Sequence, residues 1–394
     1  MSLTVRRLGP DDAAAARQLG WEAFGVPATP PESEPRVDQP GMTWFGAFDG
    51  DVLVARMIDR AYDSWFGGAL VATSGIAGVT VVAESRSRGA LSPLFAATLQ
   101  HARDRGAVIS TLFPTAPGIY RRFGYELVAD FVTVEVPTVA LAAVAAPSRT
   151  TTRRATVADV EPARAVYDRW ARAQDGPLSR RAVSDEAAPE DFLAEATGVT
   201  VAEDGGRVVG YATWNRGQGY GESAALEVTD LVADTADGYR ALLRVLGSFA
   251  SVAPTTRLDT SGDDLARLVL PSLGWSVRHS SPYMLRVLDV VGAVEARRYP
   301  PGLRTELDLT LAGDVLPGLD GGYHLSVRDG RASCTPTTPG DRVLTSRGLS
   351  LLYAGAQSCA NLRAAGHLEG GDRDEDLDWD ALFAGRQRHI RDYF

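Results

Sequence analysis

Three short stretches hold residues whose types and spacing could do chemistry. The first is Arg86-Ser87-Arg88-Gly89-Ala90-Leu91, where charge and glycine fall between a β-patterned run and a helix-patterned run. A strand that opens into a turn and then at once into a helix presents free backbone N–H groups and the positive helix end, a cradle for an anion. Glycine allows a phosphate close to the backbone, and arginines add charge. An ordinary strand-to-helix turn with solvated arginines has the same pattern. The second is Gly118-Ile119-Tyr120-Arg121-Arg122-Phe123-Gly124-Tyr125, with two phenols five residues apart. A phenol of pKa about 10 stays neutral at physiological pH and can give a proton to a leaving group. Either ring could instead fill a core. The third is the end of the chain, Arg391-Asp392-Tyr393-Phe394, aromatic where a frayed tail would be polar.

Composition narrows the chemistry. A net charge of −10 opposes a nucleic-acid partner and mildly favours cationic ligands. All 40 basic residues are arginine, so neither a Schiff-base nor a catalytic lysine exists. Cys334 and Cys359 form no CxxC pattern and are expected as buried thiols. The histidines, His101, His279, His324, His367 and His389, show no ligand spacing, so no metal is expected. The apolar run 139–146 is far too short to span a membrane. The opening MSLTVRRLGPDD lacks an apolar signal core, which predicts a cytoplasmic protein.

The elements that must position these residues follow from periodicity. A strand is predicted at 3–7, an Ala-rich helix at 11–24, a hairpin about Asp49-Gly50-Asp51, and a strand ending near Val82. A helix over 89–105 carries Leu91, Leu94, Phe95, Thr98, Leu99 and Ala102 as an apolar stripe. Strands follow at 107–113 and 131–136, and a small, polar boundary at 145–154. The next segment repeats the first in order: "RRATVADVEPARAVYDRW", the hairpin "VAEDGGRVVGYATW", "VTDLVADTADGYRALLRVL" and "LVLPSLGWSV".

The two copies differ where chemistry was suspected. Arg86 and Arg88 become Thr235 and Asp237, with Gly238 opposite Gly89; Tyr120 becomes Leu270; Tyr125 becomes Trp275, still aromatic. Charge and hydroxyl in one copy against acid and aliphatic in the other argue for an active copy and a structural one. Tyr120 is then the chemical candidate, and packing suffices for Tyr125. Beyond about residue 283 the pattern predicts a strand and helix, three strands, a helix over 348–366, an acidic loop and a final helix near "LFAGRQRHI".

With these motifs in place, RSRGAL resembles the acetyl-CoA-binding turn of the GNAT acetyltransferase superfamily, and "YRRFGY" resembles its Tyr-x-x-x-Gly-aromatic segment. Two such units, one degenerate, followed by a sterol-carrier-like segment with "LYAGAQS" and a terminal Phe394, resemble the Eis (enhanced intracellular survival) family of actinobacterial N-acetyltransferases. The resemblance implies an α/β chain with mixed sheets: tandem acetyltransferase units over 1–147 and 148–284, and an α+β domain over 285–394. It implies that the backbone of Val79, Thr80 and Val81 pairs with a pantetheine arm. Arg86, Ser87, Arg88, Gly89, Ala90, Leu91 and Ser92 would hold the pyrophosphate, and Thr115 and Ala116 would touch the cosubstrate. Tyr120 would be the general acid and the Phe394 carboxylate the general base, acting on an amine acceptor. Relatives form hexamers, which implies a homo-oligomer.

For the acceptor, Glu22, Glu32, Glu34, Asp38 and Asp392 could line a pocket for polycationic amines such as aminoglycosides or polyamines, with Trp21, Phe24 and Trp44 as walls. Lysine side chains are another acceptor. The family's acidic residue before the terminal aromatic is Tyr393 here, which weakens the aminoglycoside expectation. A carrier of apolar ligands, or a regulatory acyl-CoA-binding module without turnover, is the alternative.

Overall fold

The computed structural model describes residues 3–29, 35–86, 88–182, 188–221, 223–261, 264–271 and 274–394. The first unit runs β1 (Thr4–Arg7), α1 (Ala13–Phe24), β2 (Met42–Asp49), β3 (Val52–Phe66), β4 (Ala69–Val81), α2 (Leu91–Asp104), β5 (Ile109–Leu112), α3 (Pro117–Arg121), β6 (Glu126–Pro137) and α4 (Thr138–Ala142). The second repeats it: β7 (Thr151–Arg154), α5 (Val160–Arg172), α6 (Pro189–Ala194), β8 (Gly198–Asp204), β9 (Arg207–Arg216), β10 (Ala225–Ala233), α7 (Ala236–Gly247), β11 (Thr255–Thr260), α8 (Ala266–Val269) and β12 (Ser276–Val287). The apolar stripe predicted on α2 is the buried one: Leu94, Phe95, Thr98, Leu99 and Ala102 face the sheet.

The two units share one twelve-stranded sheet, ordered β1-β2-β3-β4-β5-β12-β6-β11-β10-β9-β8-β7. Each unit's last strand lies inside the other. β12 pairs with β5 through Val287↔Ile109 to Met284↔Leu112, and with β6 on its far edge. β6 in turn pairs with β11 through Thr255↔Pro137 to Thr260↔Val132. This exchange buries the last strands on both edges and makes neither unit's sheet complete without the other.

The third region comprises α9 (Val290–Ala296), β13 (Thr305–Leu311), β14 (Gly321–Arg328), β15 (Arg331–Thr337), β16 (Val343–Leu344), α10 (Ser346–Tyr353), α11 (Cys359–Ala364), β17 (Leu368–Glu369) and α12 (Asp376–Phe383). Its sheet is ordered β15-β14-β13-β16-β17. Two expectations need correction here. The helix predicted over 348–366 is two helices, because Gly355 turns left-handed (φ 61°) and Ser358 caps a new start, its side chain accepting from the Asn361 amide. The acidic stretch is a loop as far as Glu375, but from Asp376 on it forms the first turns of α12, where Asp376 and Asp378 face the positive helix end. Residues 384–394 then form no helix and run as an irregular tail. Both cysteines are free and buried, as expected.

The third region is keyed to the first two by a buried ion pair. Arg286 of β12 reaches Asp314 at 2.5 Å and the Phe123 carbonyl, with both side chains essentially out of solvent. The loop after β13 is thereby held against α3.

Candidate active site

β4 and β5 are parallel neighbours only from Thr73↔Ile109 to Gly75↔Thr111, after which they part while β4 continues to Val81. β4 also carries a bulge: two residues, Gly78 and Val79, oppose Met57 alone, and Gly78 takes the left-handed backbone (φ 55°) that a bulge demands. The outer part of β4 thus presents an edge with no strand beside it, the geometry that accepts an extended amide-bearing ligand.

At the end of that edge, Gly89 is left-handed (φ 81°) and a side chain there would meet nothing. α2 follows with no side-chain cap on its first amides. The Arg86 Nε lies 3.4 Å from the Val81 carbonyl. A cavity of about 1010 Å³ fills the gap between β4, α2 and α3. Val79, Thr80, Val81, Arg86, Gly89, Ala90, Leu91, Ser92, Thr115, Ala116 and Tyr120 all line it. Arg88 is exposed and outside that lining, and Ser87 lies outside the described residues. Val315 and Leu316 of the third region close one wall, and Phe24 stands at its rim. The unpaired edge, the uncapped helix start and the open glycine suit a pantetheine pyrophosphate.

Tyr120 is 5% exposed, its ring edge-on to Phe95 at 6.0 Å. Burial raises its pKa above the ordinary phenol value, and a side-chain hydrogen bond with Thr115 acts the other way. Tyr125 is wholly buried, and its hydroxyl is committed to Ser110 at 2.6 Å. The two phenols differ in setting: Tyr120 lines the cavity, while Tyr125 is sealed in the core.

The second unit has lost this site in space as well as in sequence. The equivalent gap between β10, α7 and α8 holds a void of only about 10 Å³, lined by Leu141, Leu231, Leu243, Leu246, Leu270 and Trp275 among others. Its helix start is capped, Thr235 accepting from the Gly238 amide, where α2 of the first unit has no side-chain cap. Asp237 in its first turn is committed elsewhere, accepting backbone N–H bonds from Ser148, Arg149 and Thr150.

Phe394 lines not the cavity of Tyr120 but a second one of about 730 Å³. Its ring packs on Tyr62 (5.3 Å), Phe113 (5.4 Å) and Tyr283 (6.4 Å). Phe113, which packs on the Phe394 ring, sits two residues before Thr115, which lines the first cavity. Among residues that no motif signalled, Asp259 stands out. It lines this cavity, accepts from the Thr133 hydroxyl at 2.7 Å, and burial raises its pKa.

The acidic patch expected for a polycation is not assembled. Glu22 accepts from the Ala83 amide at 2.8 Å, and Asp38 is exposed beside Arg36. Only Asp392 lines the second cavity, where Arg180 binds it at 2.6 Å. Glu32 and Glu34 lie outside the described residues. Trp44 is core, with Arg56 over its ring, and Trp21 lies under Arg17. The cavity's lining instead pairs five arginines (Arg60, Arg164, Arg180, Arg181, Arg391) with five acids (Asp168, Glu195, Asp230, Asp259, Asp392). Among the described residues no cluster of His, Cys, Asp or Glu is placed to hold a metal, and no helix is long and apolar enough to cross a membrane.

Comparison with known proteins agrees with this geometry. Residues 4–128 and 165–287 each match an acetyltransferase (GNAT) domain, and residues 290–391 match a sterol carrier protein domain. An uncharacterized N-acetyltransferase of Streptomyces avermitilis is 30% identical over 352 residues, covering 82% of this chain and 81% of that one. The N-acetyltransferase Eis of Mycobacterium tuberculosis is 29% identical over 335 residues, covering 81% and 79%. The crystal structure of a GCN5-related N-acetyltransferase from Kribbella flavida superposes with a TM-score of 0.84 at 29% identity, covering 100% of this chain and 98% of that one. With two acetyltransferase units, one open and one closed, ahead of a sterol-carrier domain, the chain belongs to the Eis family of GNAT N-acetyltransferases, enzymes that use acetyl-CoA.

Proposed function

We propose that the first unit, within a division at 1–147, 148–284 and 285–394, binds acetyl-CoA and passes its acetyl group to one amine of a small molecule held in the second cavity. The observation that carries this is the contrast between the two copies: a cavity of about 1010 Å³ lined by the anion-turn residues and Tyr120, against a void of about 10 Å³ in its repeat. Val79, Thr80 and Val81 would hold the pantetheine arm, and Arg86 with the Gly89–Ser92 amides the pyrophosphate. Bound there, acetyl-CoA supplies an activated thioester. The Phe394 carboxylate accepts the proton that the ammonium must lose. Tyr120, neutral because burial holds its pKa up, delivers a proton to the departing sulfur. The nitrogen loses a second proton as the C–S bond breaks, which restores the Tyr120 hydroxyl, so the proton held by the Phe394 carboxylate is the one released to solvent in each turnover.

The second cavity's balanced lining points to the acceptor. Five arginines offset five side-chain carboxylates, and Phe394 adds only the terminal one. A polycation would meet as many guanidinium groups as acids, whereas one ammonium could be met by Asp259, whose carboxylate accepts from the Thr133 hydroxyl. Aromatic walls from Phe131, Tyr167, Phe192 and Tyr393 suit an apolar or aromatic body. Thiol release from acetyl-CoA with an amine panel tests both parts. Aryl-alkyl monoamines should exceed aminoglycosides and polyamines in kcat/KM, and Asp259→Asn should raise the amine KM about tenfold or more without changing that for acetyl-CoA. No transfer to any amine would end the catalytic reading, and preference for polycations would end the acceptor reading.

A further inference from the structure

The second unit, whose gap between β10, α7 and α8 holds only about 10 Å³, is not idle scaffold. It grips the irregular tail immediately before the chain's end, and the grip falls on two consecutive residues. Arg391, 3% exposed, reaches Asp264 at 3.1 Å; that carboxylate, 2% exposed, also accepts from Tyr239 (2.9 Å), Thr260 (2.6 Å) and the Ala266 amide (2.8 Å). Asp392 is taken by Arg180 Nε at 2.6 Å and by the Tyr167 hydroxyl at 3.2 Å. Arg180 is held in turn by Asp230 at 2.5 Å and lies 4.0 Å over the Tyr167 ring. It adopts a left-handed backbone (φ 52°), which an arginine takes only at a cost. That strained conformation turns its guanidinium onto the tail.

The segment carrying Arg180 is itself fixed on both sides. It bonds to β3 of the first unit through Gly176 N–H to Trp65 (2.7 Å), Trp65 N–H to Pro177 (2.8 Å) and Ser179 N–H to Asp63 (2.9 Å). On its other side the tail is laid down by Asp175 N–H to Gln387 and His389 N–H to Asp175, both 2.9 Å. Gly176 (φ 111°) is needed there, since a Cβ would stand 2.5 Å from the His389 carbonyl. The result is a clamp from the second unit on residues 387–392 and a ring seat for Phe394 shared by Tyr62 and Phe113 of the first unit and Tyr283 of β12. A carboxylate two residues beyond two ion pairs has little freedom left.

We infer that the second unit serves the reaction as the jig for the chain's terminus, with Arg180 and Asp264 as positioning residues that set the Phe394 carboxylate in the acceptor cavity. This rests on the reading of Phe394 as base, so its test needs a readout that does not depend on turnover. Carboxypeptidase A removes C-terminal aromatic residues and reports directly on how often the tail leaves its seat. In the full-length protein, Arg180→Gln and, as the milder change, Asp392→Asn should each speed release of Phe394 roughly 10- to 100-fold, the range for a lost hydrogen bond to a charged group. Both should lower kcat while leaving the KM for acetyl-CoA unchanged, a split that general loss of structure does not give. Thermal melting identifies a variant that fails to fold, in which case Asp392→Asn decides. Faster release with unchanged kcat would keep the jig and remove the base. Unchanged release in both variants would overturn the positioning role.

Discussion

Replacing Tyr120 by Phe removes one oxygen and leaves the ring, so the structure separates its effects cleanly. The edge contact with Phe95 persists, and only one hydroxyl that lines the cavity is removed. Its loss should cost about 1 kcal/mol of stability or less, too little to unfold a chain of this size. On the reaction the effect is larger: general acid catalysis contributes roughly 10²- to 10⁴-fold, or about 3–5 kcal/mol of barrier. The assay is thiol release from acetyl-CoA at saturating amine, with acetyl-CoA affinity measured separately by calorimetry. kcat should fall by that factor with affinity unchanged. Because burial raises the Tyr120 pKa, the wild-type rate should hold through pH 10 and fall only above it, and the Tyr120→Phe enzyme should lack that limb. Tyr125→Phe supplies the contrast. It removes the bond to Ser110, whose hydroxyl still donates to the Ser74 carbonyl, and should cost about 1 kcal/mol of stability with kcat intact. Full turnover in Tyr120→Phe, or loss of turnover only in Tyr125→Phe, would refute the assignment.

Two further outcomes follow from the same geometry. Calorimetric titration should find one acetyl-CoA per chain, since Leu270, Trp275 and Leu141 fill the second unit's gap; two would mean that this gap opens. His389 is buried beside Arg391, and desolvation lowers its pKa from 6.5 to about 4. The unfolded chain therefore binds this proton first: stability is full above pH 6.5, declines as pH falls toward 4 and levels off below it, a change of about 3 kcal/mol. Melting temperatures of His389→Leu should lack that slope; an unchanged slope would assign it to other groups.

Much of the first unit was legible because its signals are local. The stripe on α2 and the RSRGAL turn each lie within a few residues, and the repeat turned Tyr120 against Leu270 into a comparison within one chain. The exchange of β6 and β12 was not legible, since both strands carry the same alternation wherever they pair. Nor was the break at Gly355, where an apolar helix-like run hides one left-handed residue. The acceptor cavity escaped for a different reason. Asp259, Arg180 and Phe394 are separated by scores of residues, and long-range ion pairs leave no periodic mark. The acidic residues near Glu22 were a plausible patch in sequence, but among the described ones Glu22 accepts from the Ala83 amide and Asp38 lies exposed beside Arg36.

The most direct test of the account uses the end of the chain. One glycine added after Phe394 moves the carboxylate by a residue while leaving the aromatic ring, the ion pairs on Arg391 and Asp392, and the acetyl-CoA cavity in place. Mass spectrometry of the amine product should show transfer by the wild-type enzyme and, in the extended chain, transfer slowed at least about 100-fold with acetyl-CoA binding unchanged. Product formed by the extended chain at the wild-type rate would contradict the account.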